Sequence, residues 1–252
     1  MSKLTPELPP DAIDRVIDVA MAEDLLSGDL TSVVCVEPEA TATAIANARH
    51  SMIVCGGPVF TRVFGRIDST VQVETITLEG QRATAGGELW RVSGRARSIL
   101  AAERIALNLV QRMSGVATMA RDYVDAVPKG ARTRIADTRK TTPGLRALER
   151  YAVRTGGAHN HRDNLGSAVM IKDNHIVASG GLREAIERAH KHAPHTSRIE
   201  AEVTNLDELD IAIEAGADII MLDNMSTSDM GEAVERVGMI VGRKPILEAS
   251  GG

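Results

Sequence analysis

The second half of this chain alternates, and that rhythm restricts its fold more than any other feature. From Arg134 onward, short β-branched or apolar runs take turns with amphipathic stretches of helical period. The strand-like runs are Arg134–Thr138, Ala168–Lys172, Arg198–Val203, Asp218–Leu222 and Pro245–Ala249. Between them lie Pro143–Thr155, Leu182–Lys191, Leu206–Ala215 and Asp229–Val237. Thr142 is the predicted N-cap of the first of these helices, with Pro143 at its first helical position. Strands joined by helix-length crossovers pair in parallel, so the pattern predicts a parallel sheet with helices packed on it.

The first half follows a different rule. Asp11–Asp24 reads as a helix behind Pro9 and Pro10, with Ile13, Val16, Ile17, Ala20 and Met21 on one face. Thr41–Cys55 and Val71–Leu78 read as strands, and Gly80, Gly86, Gly87 and Gly94 punctuate short strands after them. Gly28–Ser32 reads as a turn or capping element. Ser98–Val127 carries a long helical pattern with a break expected near Ser114-Gly115. The expected fold class is α/β: an N-terminal α+β domain over 1–112 that includes the connecting helix, then a TIM-like βα barrel, open or incomplete, over 113–252.

Composition narrows the partners. The chain has 252 residues, a net charge of −5 and only 2% aromatic residues. An acidic chain with few stacking side chains fits no nucleic-acid partner. Two cysteines are too few for a disulfide framework, and no run of about 18 apolar residues suggests a membrane span. With no signal-peptide pattern at the start, a cytoplasmic location is expected.

Against that acidic background stands one basic stretch. Lys129–His175 holds ten Lys/Arg and four Asp/Glu, hence 10 − 4 = +6, whereas Ile176–Gly252 holds seven and fourteen, hence 7 − 14 = −7. The charges sit where strands end: Thr138-Arg139-Lys140, Lys172-Asp173-Asn174, Glu202, Asp223-Asn224 and Ser250-Gly251-Gly252. In a βα barrel the C-terminal strand ends share one face, and active sites form there. Any one polar strand end reads equally well as a solvated turn; the series points to an enzyme. Arg139 and Lys140 read as anion ligands or as a turn, and His161-Arg162 as ligands or as a surface loop. Lys172 ends an apolar run, so it acts as an anion ligand or as a Schiff-base amine. Glu202 and Asp223 end neighbouring strands about 5 Å apart, where they can hold Mg²⁺ or serve as turn carboxylates. Glu200 shares the face of Glu202. Gly156-Gly157 and Gly251-Gly252 are candidate phosphate turns, the former also a helix end. Glu103-Arg104 reads as an exposed helical ion pair, and His50, His190, His192 and His195 read as surface residues.

Several segments together resemble the quinolinate phosphoribosyltransferase (nicotinate-nucleotide pyrophosphorylase, carboxylating) family. They are Glu23-Asp24 with Gly28–Ser32, Ala102-Glu103-Arg104, Ser114–Thr118, Asp137–Arg146, Tyr151–Arg154, Asn160-His161-Arg162, Ile171–His175, Glu200–Val203, Met221–Asn224 and Leu247–Gly252, in family order. The resemblance implies transfer of a phosphoribosyl group from phosphoribosyl pyrophosphate to quinolinate with Mg²⁺ and loss of CO₂. It implies that Arg139, Lys140, His161, Arg162 and Lys172 line the quinolinate site, with Thr138 beside them. It makes Lys140, Lys172, Glu202 and Asp223 the catalytic set, and Glu202 and Asp223 the metal ligands and ribose-side acids. Ser250, Gly251 and Gly252 become a phosphate-binding turn. Arg104 matches an arginine supplied across the interface of a homodimer or a multiple of dimers.

Three positions depart from the family pattern: Ala158 stands where a third glycine is usual, and Asn164 and Ser167 stand where Gly and Asp are usual. Family members also run on by about one helix and strand beyond Gly252, so the chain reads as C-terminally shortened. Other readings are a sibling barrel phosphoribosyltransferase (nicotinate-specific or molybdenum-transport-associated), a non-catalytic binding protein, and a lyase using Lys172.

Overall fold

Two prolines start the structure's first helix and a carboxylate starts its second. The computed structural model describes residues 7–251, in two compact units, Met1–His161 and Arg162–Gly252. In the first unit, α1 (Pro10–Asp24) has proline in its first turn, where a missing N–H costs nothing. Asp29 caps α2 (Leu30–Cys35), its Oδ1 accepting from Ser32 N at 3.0 Å. Then follow β1 (Thr41–Asn47), β2 (Met52–Ile53), α3 (Gly57–Ile67), β3 (Gln72–Thr75), β4 (Arg82–Ala83), β5 (Glu88–Arg95), α4 (Ala96–Ala126) and α5 (Arg146–Thr155). The strands form two antiparallel sheets, β1-β5-β3 and β2-β4. Phe60 of α3 stacks on Trp90 of β5 with ring centroids 4.6 Å apart, at the centre of the apolar core.

The sequence signals placed α4 correctly but not its continuity. The helix runs unbroken through Ser114-Gly115. Ser114 is buried and its hydroxyl exchanges two hydrogen bonds with the backbone of Cys55, both at 3.1 Å. One turn on, Thr118 Oγ1 accepts from Ile53 N at 2.9 Å. These bonds satisfy backbone groups beside β2, so the helix docks through the polar pair instead of breaking there. Its other buried residues, among them Ile99, Ala102, Ile105, Leu109, Met113 and Ala117, make a stripe at helical spacing.

Two further expectations change. Arg134–Thr138 forms no strand; it contributes a single parallel bridge, Ala136 to His159. The side chains of Asp137 and Thr138 bond to nearby backbone instead, so the ladder ends after one rung. α5 starts at Arg146, not Pro143, because Gly144 turns the chain through φ +82°, outside the helical region. Thr142 therefore does not cap it.

In the second unit, β6 (Val169–Ile171), α6 (Asp173–Ser179), α7 (Leu182–His192), β7 (Ile199–Val203), α8 (Leu206–Glu214), β8 (Ile219–Asp223), α9 (Thr227–Met239) and β9 (Ile246–Ser250) alternate as expected, apart from the extra short α6. The sheet is parallel throughout, in sequence order β6-β7-β8-β9. Ile199, Ala201, Val203, Ile220 and Leu222 join the core with Ile186, Leu209 and Ala233 of the helices. By the two-residue alternation of strands, the opposite sheet face carries Glu200, Glu202, Met221, Asp223, Glu248 and Ser250. The architecture is the expected one: an α+β unit followed by an open βα sheet.

Candidate active site

In the first unit the expected site residues other than Arg104 stand on loops that side chains tie down. Asp137, with a side chain only 7% exposed, is the hub of one knot. Its Oδ1 accepts from His161 N at 2.6 Å and from Arg150 Nη1 at 3.4 Å, and its Oδ2 accepts from Asn160 Nδ2 at 2.6 Å. Arg150 Nη2 donates to His161 O at 2.9 Å. One carboxylate thus sets both the start of the Thr138–Lys140 turn and the His161 segment. Thr138 Oγ1 accepts from Lys140 N at 2.8 Å, closing that turn and leaving the Lys140 side chain exposed. Arg139 Nε is shielded from solvent and has no hydrogen-bond partner among the described residues. A shielded cationic donor without an acceptor is costly unless a ligand supplies one. Arg104 projects from the exposed side of α4 and makes no hydrogen bond or ion pair with any described residue.

A second knot holds the same loop from behind. Glu149 of α5 accepts from Arg112 of α4 and from Thr142 N. Burial pushes its carboxyl up, but the hydrogen bonds from Thr142 and Arg112 outweigh that and hold it below its ordinary value.

The second unit positions its polar groups differently, on the ends of a ladder. Lys172 follows β6 and starts α6, where its N–H donates to His175 Nδ1 at 3.0 Å. Its ammonium pairs with the Glu202 carboxylate on β7. Glu200, on the same face, is buried, and one of its carboxylate oxygens lies within 4.8 Å of one from Glu248. Glu248 was absent from the expected set, although the alternation of β9 was the signal that could have found it. Asp223 ends β8, where its Oδ2 accepts from Asn224 Nδ2 at 2.8 Å. Asn224 adopts φ 53°, and its N–H donates to Ser250 O at 2.9 Å. Gly251 has φ +135°, and a Cβ there would lie 2.6 Å from Asn224 Oδ1. Asn224, Met225, Met230, Ala249, Ser250 and Gly251 line an open hollow of about 360 Å³ at this edge. Gly252 lies outside the described residues.

Arg162 Nη1 donates to Ala168 O at 3.2 Å, across a loop that Asn164 and Ser167 knit. Ser167 Oγ accepts from Asp163 N and Asn164 N at 3.0 and 3.1 Å. Gly156-Gly157 forms the C-terminal end of α5. Gly156 lies so close to α4 that a Cβ would meet Ala117 O at 2.5 Å.

The residues suit Mg²⁺ in kind. Glu202 and Asp223 are hard oxygen donors on one sheet face, and Mg²⁺ is usually held by one or two carboxylates plus water and substrate phosphates. The pairing of Glu202 with Lys172 leaves Asp223 the more available of the two.

The N-terminal domain of quinolinate phosphoribosyl transferase matches residues 29–114, and the C-terminal domain matches 116–252. The chain belongs to the quinolinate phosphoribosyltransferase family. A Synechocystis relative described as a probable nicotinate-nucleotide pyrophosphorylase [carboxylating] is 42% identical over 248 residues, covering 97% of this chain and 82% of the relative. Among solved structures, NadC from Streptococcus pyogenes is 39% identical with a TM-score of 0.91, over 98% of this chain and 86% of that one. The nicotinate-nucleotide pyrophosphorylase of Francisella tularensis is 38% identical with a TM-score of 0.91, over 100% and 87%. The quinolinate phosphoribosyltransferase domains meet inside α4, whereas the compact units part at His161. Among the described residues no helix is long and apolar enough to cross a membrane.

Proposed function

We propose that this chain transfers the phosphoribosyl group of phosphoribosyl pyrophosphate to quinolinate with decarboxylation, forming nicotinate mononucleotide, pyrophosphate and CO₂ for NAD biosynthesis. The observation that carries this reading is the match of both family domains across 29–252, with relatives of that activity 36–42% identical.

The residues have chemistry to match. Quinolinate carries two carboxylates, and Arg139 and Lys140 offer it a rigid forked donor and a point charge. Thr138 shapes their turn, and His161, Arg162 and Lys172 are further cationic or hydrogen-bonding candidates for the same acid. The ring nitrogen attacks C1 of the ribose as the bond to pyrophosphate breaks through an oxocarbenium-like state. Glu202 and Asp223 stabilise the positive sugar electrostatically. The breaking bond to CO₂ leaves its electron pair on the adjacent ring carbon, where the positive quaternary nitrogen stabilises it, and that carbon then receives a proton. Lys172, held by Glu202, keeps its cation in place to orient the ring. Asp223 and Glu202 would hold Mg²⁺, which when bound would neutralise charge on the departing pyrophosphate. Ser250, Gly251 and Gly252 take the ribose phosphate on backbone N–H groups.

We further read the enzyme as a cytoplasmic homodimer, or a multiple of dimers, with Arg104 acting on the partner's substrate. Two free cysteines agree with a reducing compartment, and the exposed, unpaired Arg104 agrees with a target outside its own unit. Purified protein given phosphoribosyl pyrophosphate, Mg²⁺ and carboxyl-labelled quinolinate should release labelled CO₂ in step with mononucleotide. Turnover of nicotinate without CO₂ would assign it to a sibling activity instead. Mixing Arg104→Ala with Lys172→Ala should restore activity through hybrid dimers, and no recovery despite subunit exchange would remove the shared site.

A further inference from the structure

The motif series passes over the carboxylate on which the anion-binding loop hangs. Glu149 is buried, and both its oxygens are spent on groups outside its own helix. Oε1 accepts from Arg112 Nε at 3.0 Å and from Arg112 Nη2 at 2.8 Å. Oε2 accepts from Thr142 N at 3.2 Å. Arg112 Nη2 also donates to Thr142 Oγ1 at 2.8 Å, so Thr142 is gripped at backbone and side chain together. The grip continues toward Arg139. Thr141 N donates to Arg139 O at 2.9 Å, and Arg146 reaches both Thr141 Oγ1, at 3.0 Å, and Arg139 O, at 3.4 Å. Hydrogen bonds from α4 through Glu149 thus hold Thr142, and those of the adjoining Thr141, one peptide link away, reach the carbonyl of Arg139.

A simple tie between α4 and α5 does not explain this arrangement. The two helices already share apolar core through Leu109, Met113, Leu148 and Ala152. Burying a carboxylate is costly unless its partners compensate, and an apolar pair of the same volume would join two helices as well. The pair also reaches past the helix contact: Arg112 is 53% exposed and extends to the loop. What an apolar pair could not do is hold the N–H and hydroxyl of Thr142.

We propose that Arg112 and Glu149 are positioning residues that hold the Arg139–Lys140 loop in its anion-receiving form. The inference rests on the proposed role of that loop in taking quinolinate. Small displacements of such a group lower productive binding steeply, by up to about a hundredfold for 1 Å.

The test is steady-state kinetics and thermal melting of the full chain with quinolinate, phosphoribosyl pyrophosphate and Mg²⁺. Arg139→Ala serves as the reference. Glu149→Gln and Arg112→Ala should raise the KM for quinolinate roughly tenfold while changing that for phosphoribosyl pyrophosphate by less than about twofold. Arg112→Lys keeps the charge but loses the fork, and should fall between these and the unaltered enzyme. The double variant should be no worse than the more impaired single one, as expected of two residues acting as a unit. If Glu149→Gln does not fold, Arg112→Lys carries the test, because its change is at a half-exposed position. A lowered melting temperature with an unchanged quinolinate KM in Arg112→Lys would overturn the proposal and leave a structural tie. Should Arg139→Ala itself leave quinolinate KM unchanged, the reading of the loop fails and this inference falls with it. An effect of Arg139→Ala without one from either brace refutes the inference alone.

Discussion

The two units present their charged groups by opposite means. In Met1–His161 Arg139, Lys140 and His161 stand on loops, and carboxylates such as Asp137 and Glu149 fix those loops by reaching across the chain. In Arg162–Gly252 the acids stand on strand ends, where the parallel ladder sets their height and spacing before any side chain acts. A ladder position survives loss of its own side chain, because backbone bonds hold it. A loop position held by a side chain does not. Substitutions on the sheet edge should therefore cost activity without stability, and substitutions of the loop braces should cost both.

The largest effect is expected on the sheet edge. Lys172→Ala should lower kcat/KM for quinolinate by about 10²–10³-fold, the scale for losing one preorganised charge stabiliser. Its melting temperature should stay close to that of the unaltered chain, since the pair with Glu202 lies at a partly exposed edge. A large fall in melting temperature would show that this edge too depends on side chains, and the contrast between the units would be lost.

Asp137→Asn tests the other side. The carboxylate accepts from three donors of two segments, and an amide cannot accept from all of them. Leaving one or two of these shielded donors unsatisfied costs about 2 kcal/mol. For a unit of this size that lowers the melting point by roughly 4–8 °C. Calorimetric melting beside Glu202→Gln makes the comparison direct: the asparagine variant should melt well below the glutamine one. Equal melting points would break the distinction.

Gly251→Ala is expected to do less, and to do it at the one point where the sheet edge itself becomes a turn. At φ +135° an added Cβ would press on Asn224 Oδ1, so the turn must shift. Strain of this kind costs of order 1–3 kcal/mol. In the proposed reading this raises the KM for phosphoribosyl pyrophosphate and spares that for quinolinate. The reverse pattern would move the phosphate turn elsewhere.

The same contrast explains what could be read without coordinates. The α+β then βα order, the parallel sheet and most strand and helix positions were legible because each rests on local periodicity. Gly28–Ser32 was legible only as a turn or capping element, and Asp29, acting over three residues, proves to be the cap. Helix α3 was passed over, although Pro58 in its first turn and Val59, Phe60, Val63 and Phe64 at helical spacing were a sufficient signal. Helix α6 was missed for a better reason: it is short, and Lys172 leads into it directly from β6. The braces were out of reach altogether. Arg112 and Glu149 lie 37 residues apart, Asp137 and His161 24 apart, and nothing periodic links such partners. Ser114-Gly115 misled because a buried serine satisfied by the backbone just after a neighbouring strand reads, in sequence, like a helix breaker.

The smallest effect is a matter of pH, and it asks whether the loop braces are electrostatic. The folded-state pKa of Glu149 lies below its ordinary value, despite burial, because Thr142 and Arg112 bond to the ionised form. A group with a depressed folded pKa contributes stability that is fully present above its unfolded pKa, and that stability is lost as pH falls through the folded value. The unfolded value for glutamate is near 4.3, so the loss begins just above that pH and continues below it. Urea midpoints measured from neutral pH down to the onset of acid unfolding should therefore fall less steeply for Glu149→Gln than for the unaltered chain. At neutral pH the glutamine variant should be the less stable of the two, and the gap should narrow on acidification. Parallel pH profiles would mean that Glu149 braces the loop by shape and not by charge. Arg112→Lys, which keeps the charge but loses the fork, would then be about as damaging as Arg112→Ala.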